Sequence, residues 1–241
     1  LRKKKQSSQV IDFDQSNKNQ LQKTRFRKVE MIPRNLAQEN YVADLCDMST
    51  RITFALGPAG TGKTLLAVMN AIRLLKENQI SRIVITRPAV SVDEQHGFLP
   101  GDLNQKMEPW TRPIMDVFEE YYNPAEIKTI LEERIIEVAP LSFMRGRTFK
   151  NAYIVADEMQ NATPNQMKML LTRMGEGSYC SVTGDLAQHD RGFEANGLKD
   201  FIERLESRGG SHVLKTTYFQ HKDIERDPVV SEVLTVYGED E

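Results

Sequence analysis

The sequence predicts an α/β fold, a mostly parallel sheet with helices on both faces, and three observations predict it. Short apolar runs recur along the chain, amphipathic segments of helical period separate them, and one run passes through a glycine-rich turn straight into a helical pattern. Apolar runs without alternation suit strands covered on both sides, and the helical segments between them supply the cover.

Taken in order, Pro33 and Asn35 introduce LAQENYVADLCDM, where Leu36, Tyr41, Val42 and Leu45 recur at helical spacing. ITFALG (52–57) reads as a buried strand, followed by the glycine-rich PAGTG and the helical pattern KTLLAVMNAIRLLKEN. RIVIT (82–86) is a second buried strand. From Arg87 to Pro113 the chain is rich in proline, glycine and charge, and a long loop is expected, with Pro100 and Pro109 shaping it. PIMDVFEEYY and PAEIKTILEE read as helices. IIEVA (135–139), AYIVA (152–156), YCSVTG (179–184) and HVLKTT (212–217) supply further strands, with NQMKMLLTRM and NGLKDFIERLE as helices between them and VVSEVLTVYG as a closing element. There is no internal repeat.

A chain of 241 residues can bury a full core, and one domain is expected. Apolar residues make up 39% and charged residues 27%, no long unbroken apolar run is present, and a membrane-spanning helix is excluded. The opening LRKKKQSSQ has no apolar stretch of the kind that directs export, and Cys46 and Cys180 show no metal or redox spacing. A cytoplasmic protein with reduced thiols is the expectation.

The net charge of −2 hides an asymmetry. Residues 1–30 carry nine Lys or Arg against three acids, which leaves 23 bases against 31 acids for residues 31–241. The first segment is polar and aperiodic, so it reads as a basic arm ahead of the single domain, either touching nucleic-acid phosphates or simply solvated.

GPAGTGKT, Gly57 to Thr64, matches the phosphate-loop pattern G-x-x-x-x-G-K-S/T with a strand before it and a helix after it. In Gly57, Pro58, Ala59, Gly60, Thr61 and Gly62 the glycines let the backbone curl, so that successive N–H groups face a polyphosphate at a helix start. Lys63 is expected to reach the outer phosphates of ATP and Thr64 to ligate Mg²⁺. Asp157 ends AYIVAD, a strand expected to neighbour the phosphate loop, and is assigned to the Mg²⁺ water shell. Glu158, the next residue, would orient or polarise the attacking water. Two acids with unequal roles favour hydrolysis over binding alone. After the next strand, SVTGDLAQHD brings Thr183, Gly184, Asp185 and Gln188 to its end, and the Gln188 amide suits contact with the terminal phosphate.

GPAGTGKT, RPAV, HGFLPGDLNQKMEPW, IEVAPLSFMRGRTF, DEMQNATPNQMKMLLTRMGEGS and VTGDLAQHD, in that order, closely resemble the PhoH-like family of phosphate-loop ATPases. The resemblance runs from about Pro33 to Gly238 and implies a RecA-like P-loop NTPase fold, similar to a single motor domain of superfamily 1 helicases. It further implies an ATPase tied to single-stranded nucleic acid, RNA above all, and assembly into a homo-oligomeric, hexameric ring. By position it suggests that Gln38 in PRNLAQENY reads the adenine edge, and that Gln160 links the terminal phosphate to elements that respond to nucleic acid. Gln188 corresponds to the glutamine of G-D-x-x-Q, and Arg226 in DIERDPVV to a D-x-x-R stretch that could supply a cation to a neighbouring subunit's site.

Arg145, Arg147 and Arg173 are further candidates for phosphate contact or intersubunit pairing. His96, Phe98, Lys106 and Trp110 mix cation and aromatic types, as stacking on unpaired bases requires, although Phe98 and Trp110 equally suit a core. SVDEQHGFLP departs from the acidic-Gly-Glu-Lys run usual in the family, and Trp110 stands where Tyr is commoner. Two other readings remain open: a small-molecule phosphotransferase, which calls for an acceptor pocket and an arginine-rich lid, and a nonenzymatic ATP-gated assembly module, for which Glu158 would be unnecessary.

Overall fold

The computed structural model describes residues 28–88, 103–188, 195–225 and 228–237. The expectations for the basic arm up to residue 27, for His96 and Phe98, and for Arg226 lie outside these residues, as do those for the side chains of Lys106 and Trp110.

Six strands form one parallel sheet: β1 (Ile52–Leu56), β2 (Arg82–Arg87), β3 (Ile136–Pro140), β4 (Ala152–Ala156), β5 (Tyr179–Gly184) and β6 (Leu214–Tyr218), in the order β3-β2-β4-β5-β1-β6. The helices are α1 (Leu36–Cys46), α2 (Lys63–Lys76), α3 (Leu103–Glu119), α4 (Pro124–Glu132), α5 (Pro164–Leu171), α6 (Gly197–Ser207) and α7 (Pro228–Tyr237).

Alternation along the strands feeds two cores. On β2, Ile83 and Ile85 point into a cluster with Ala71 and Ile72 of α2 and Phe118 of α3, while Val84 points to the opposite cluster. On β4, Tyr153 and Val155 join the first cluster, and Ile154 joins Phe54, Val182, Leu170 of α5 and Ile202 of α6 on the other side. Both faces are therefore covered, which is why the middle of β2 and the whole of β4 are apolar. The α1 helix packs Tyr41 and Leu45 against Ala55, Leu66 and Phe219. Asn35 caps α1 by accepting from the Gln38 backbone N–H at 2.9 Å. Asn70 of α2, itself buried, donates to Leu45 O and to the Tyr153 hydroxyl at 3.2 Å each, fixing the end of α1 to the sheet.

β5 runs between β1 and β4, with Ala55 opposite Thr183 and Val182 opposite Ala156, and Asp157, just after β4, still lies beside the end of the phosphate loop. One expectation is corrected. The long loop to Pro113 gives way to helix at Leu103, so α3 runs through both Pro109 and Pro113. Each proline removes one helical N–H donor, but the apolar face carrying Ile114 and Phe118, both buried against α2, outweighs that loss.

Candidate functional site

β1 delivers the chain to the phosphate loop at the carboxyl edge of the sheet, where parallel α/β folds bind ligands. Gly57, Gly60 and Gly62 all take positive φ, 141°, 81° and 82°. At Gly57 the requirement is also steric, since a Cβ there would lie 2.2 Å from the Phe219 carbonyl oxygen. The loop ends at Gly62, which starts α2 without a side-chain cap, leaving the first helical N–H groups to face an anion. Lys63 folds over the loop: its ammonium donates to Gly57 O at 2.7 Å, Pro58 O at 2.6 Å and Thr61 Oγ1 at 3.3 Å. Burial pulls the Lys63 ammonium below its ordinary range, with Asp185, Glu158 and Asp157 opposing that shift.

The inserted strand β5 supplies a crossbar. Thr64 Oγ1, from α2, donates to Asp157 Oδ1 at 2.7 Å, and Thr183 Oγ1, from β5, donates to the same oxygen at 2.6 Å. The two hydroxyls lie 3.5 Å apart. A hydroxyl and a carboxylate side by side are hard oxygen donors, and they fit Mg²⁺, which takes its remaining ligands from water and phosphate. Thr183 is the residue whose contribution sequence reasoning missed. Its T-G-D setting at a strand end was visible, but its place between Thr64 and Asp157 depends on the strand order.

Glu158 adopts a left-handed conformation, φ 53° and ψ 39°, which turns its carboxylate away from the strand direction. That carboxylate accepts from Gln160 Nε2 at 2.5 Å, while Gln160 Oε1 accepts from the Asp185 backbone N–H at 3.2 Å. Gln160, only 1% exposed, therefore ties the acid at the end of β4 to the turn after β5. Gly184 makes room for it, because a Cβ there would lie 2.8 Å from Gln160 Oε1 and 2.6 Å from Leu198 Cδ2.

These groups converge on a cleft of about 210 Å³ lined by Gly60, Lys63, Thr64, Asp157, Glu158 and Gln188 among others. Gln38 stands outside this lining. It is buried at the flank of the loop, donating from Nε2 to Thr61 O at 3.1 Å and accepting at Oε1 from Arg34 N–H at 2.9 Å. One amide proton and one lone pair remain to it. The same flank is closed by residues 220–225: Glu225 N–H donates to Gly60 O at 3.1 Å, and Asn35 Nδ2 donates to Asp223 O and Glu225 Oε1 at 3.2 and 3.1 Å.

Of the other candidate arginines, two are committed internally. Arg147 makes a bidentate pair with Glu137 at 2.5 and 2.7 Å, and Arg173 donates to Met169 O and Arg147 O. Arg145 is exposed.

Residues 30–238 match the family model described as PhoH-like protein. The chain belongs to the PhoH-like family. It is 44% identical over 207 residues to a PhoH-like protein of Mycobacterium tuberculosis, covering 86% of this chain and 57% of that relative. It is 41% identical over 206 residues to one of Bacillus subtilis, with 85% and 63% covered, and 38% identical over 212 residues to Protein PhoH of Escherichia coli, with 86% and 58% covered. The chain thus spans less than two thirds of the length of these curated relatives. Among solved structures, the Pyrococcus furiosus Hef helicase domain aligns with a TM-score of 0.43 at 17% identity, covering 80% of this chain and 39% of that one. A Sulfolobus solfataricus SWI2/SNF2 ATPase core in complex with dsDNA aligns at 0.42 and 14% identity, covering 80% and 46%. The geometry places a phosphate-loop site at the carboxyl edge of an all-parallel α/β sheet in this family member, and among the described residues no helix is long and apolar enough to cross a membrane.

Proposed function

We propose that this PhoH-like chain is an Mg²⁺-dependent ATPase whose turnover is coupled to single-stranded RNA and which works as a hexameric ring. The observation that carries the hydrolytic part is the 2.7 Å contact between Thr64 Oγ1 and Asp157 Oδ1, which joins the end of the phosphate loop to the acid pair. In this reading the backbone N–H groups of Gly57 to Gly62 and the start of α2 hold the triphosphate. Lys63 exchanges its loop carbonyls for the outer phosphates, whose negative charge offsets the effect of burial on its ammonium. Thr64 and Asp157 hold Mg²⁺, which neutralises charge on the phosphate oxygens when bound. Glu158 orients water toward the terminal phosphate, and Gln188, which lines the same cleft, senses that phosphate. Gln38 reads the adenine edge through its remaining donor and acceptor, and Arg226 stabilises the charge of phosphoryl transfer in a neighbouring subunit. Gln160 carries the state of a bound strand to Glu158.

The test is ATPase activity of the purified protein screened against single-stranded and duplex RNA and DNA at low salt, with mass measured in the presence and absence of ATP. Stimulation by unpaired RNA and a ring-sized mass are expected. ATP binding without hydrolysis under every condition would move the reading to an ATP-gated assembly module.

A further inference from the structure

Unpaired nucleic acid, if this chain acts on it, needs a surface on the same edge of the sheet as the phosphate loop. The turn after β3 offers one. Leu141 and Met144 are buried in the core and pin a short 3₁₀ turn, whereas Phe143 between them is 54% exposed. Among the described residues no other phenylalanine is exposed to this degree. Arg145 follows, also exposed, and its side chain has no hydrogen-bonded or ionic partner among the described residues.

The turn is held from both ends. Met144 O accepts from Arg147 N–H at 3.2 Å, Arg147 is fixed by Glu137 and lies 4.5 Å over the Phe149 ring, and Arg173 donates to Arg147 O at 3.2 Å. An aromatic ring and a guanidinium are thus presented on a rigid support, so ordering them on a ligand costs little side-chain entropy.

Its place in the sheet adds a second cation and a direction. Pro140, the last residue of β3, pairs in register with Arg87, the last residue of β2, whose side chain also has no described partner. β2 in turn pairs with β4, with Thr86 opposite Ala156, the residue before Asp157. Arg87 and the β3 turn therefore continue the line of carboxyl ends that holds Asp157 and Glu158, with β3 about 10 Å from β4.

We infer that Phe143, Arg145 and Arg87 form a platform for single-stranded nucleic acid, Phe143 stacking on a base and the two arginines contacting flanking phosphates. This rests on the nucleic-acid reading of the function and assigns it a surface. An exposed aromatic ring followed by a guanidinium without a partner among the described residues, with the partly exposed Arg87 at the end of the neighbouring strand, is the chemistry that stacking with phosphate contact uses. The one nearby acid on this strand, Glu137, is neutralised by Arg147.

The test uses a fluorescein-labelled oligouridylate of about ten nucleotides, titrated by anisotropy at several salt concentrations, and the same oligomer carrying 4-thiouridine for photocrosslinking. Phe143→Ala should weaken binding about tenfold with the salt slope retained. Arg145→Gln and Arg87→Gln should each reduce the slope of log affinity against log salt by about 0.7. Crosslinks should fall on the peptide that contains Phe143. ATP affinity and thermal midpoint, measured on each variant, confirm that it is folded.

Wild-type binding with crosslinks elsewhere and no change in the variants would overturn the platform while leaving the nucleic-acid reading standing. A change in solution mass for Phe143→Ala, without a change in oligomer affinity, would make the turn a protein interface and overturn it also. No affinity of the wild type for the oligomer would remove the nucleic-acid reading and the platform together.

Discussion

Thr183 Oγ1 donates a 2.6 Å hydrogen bond to Asp157 Oδ1, the same carboxylate oxygen that accepts from Thr64 Oγ1. Were Thr64 to ligate a metal, Thr183 would still hold the carboxylate. Removing this support should behave as loss of a group that orients a metal ligand, worth about 10-fold to 100-fold in metal affinity. Thr183→Val should therefore raise the Mg²⁺ concentration needed for half-maximal binding of a fluorescent ATP analogue by about tenfold, and Thr183→Ser should restore it. Equal Mg²⁺ dependence in the valine variant would remove the role.

The Gln160 bridge makes its own prediction. Gln160→Ala leaves the Asp185 N–H without its buried acceptor, at a cost of about 1–3 kcal/mol in stability by thermal or urea unfolding. Basal hydrolysis should survive while stimulation by RNA is lost. If stimulation persists in a folded Gln160→Ala protein, the link between strand and acid lies elsewhere.

Gly184 tests the same bridge from the other side. A methyl group at this position meets Leu198 Cδ2 and Gln160 Oε1 inside van der Waals distance, so Gly184→Ala should cost about 1–3 kcal/mol and displace the amide from Asp185. Its RNA response should fall with that of Gln160→Ala. A response unchanged from the parent protein would show that the amide tolerates the methyl group.

Acid should act on the turn that carries Phe143. The hydrogen bonds from Arg147 hold the Glu137 carboxyl below its ordinary value, against the opposing effect of burial. A depressed folded-state value contributes stability that is complete above the unfolded carboxylate range and is lost as pH falls through the folded value. Glu137→Gln should therefore lower Tm at neutral pH, by less than the removal of a fully buried pair because both partners are partly exposed. The gap to the parent protein should close as pH drops below about 4. A gap that persists unchanged in acid would contradict this account.

Much of this is legible in the sequence alone. Ala152–Ala156 and Tyr179–Gly184 match the runs AYIVA and YCSVTG residue for residue, because strands buried on both faces read as short uncharged runs of apolar and small residues. GPAGTGKT and the acids after AYIVA announced themselves by chemistry, since a curled loop demands glycine in fixed places. The insertion of β5 between β1 and β4 was not legible, because strand order depends on long-range pairing that no local pattern encodes. The crossbar Thr183 and the reach of Gln160 to Asp185 follow from that order, so they were hidden with it. The early start of α3 was hidden for another reason: Pro109 and Pro113 read as breakers, and only the buried face of Ile114 and Phe118 overrides them.

Glu158→Gln is the most direct test of the central claim, that Asp157 and Glu158 divide metal binding and water activation between them. ATP affinity and steady-state phosphate release should be measured together on the parent protein and on this variant, with saturating Mg²⁺ and unpaired RNA. The account predicts affinity within about twofold of the parent and turnover lowered by about 10²-fold or more, the range of a positioned acid–base group. Turnover equal to that of the parent protein, with ATP bound normally, would contradict it.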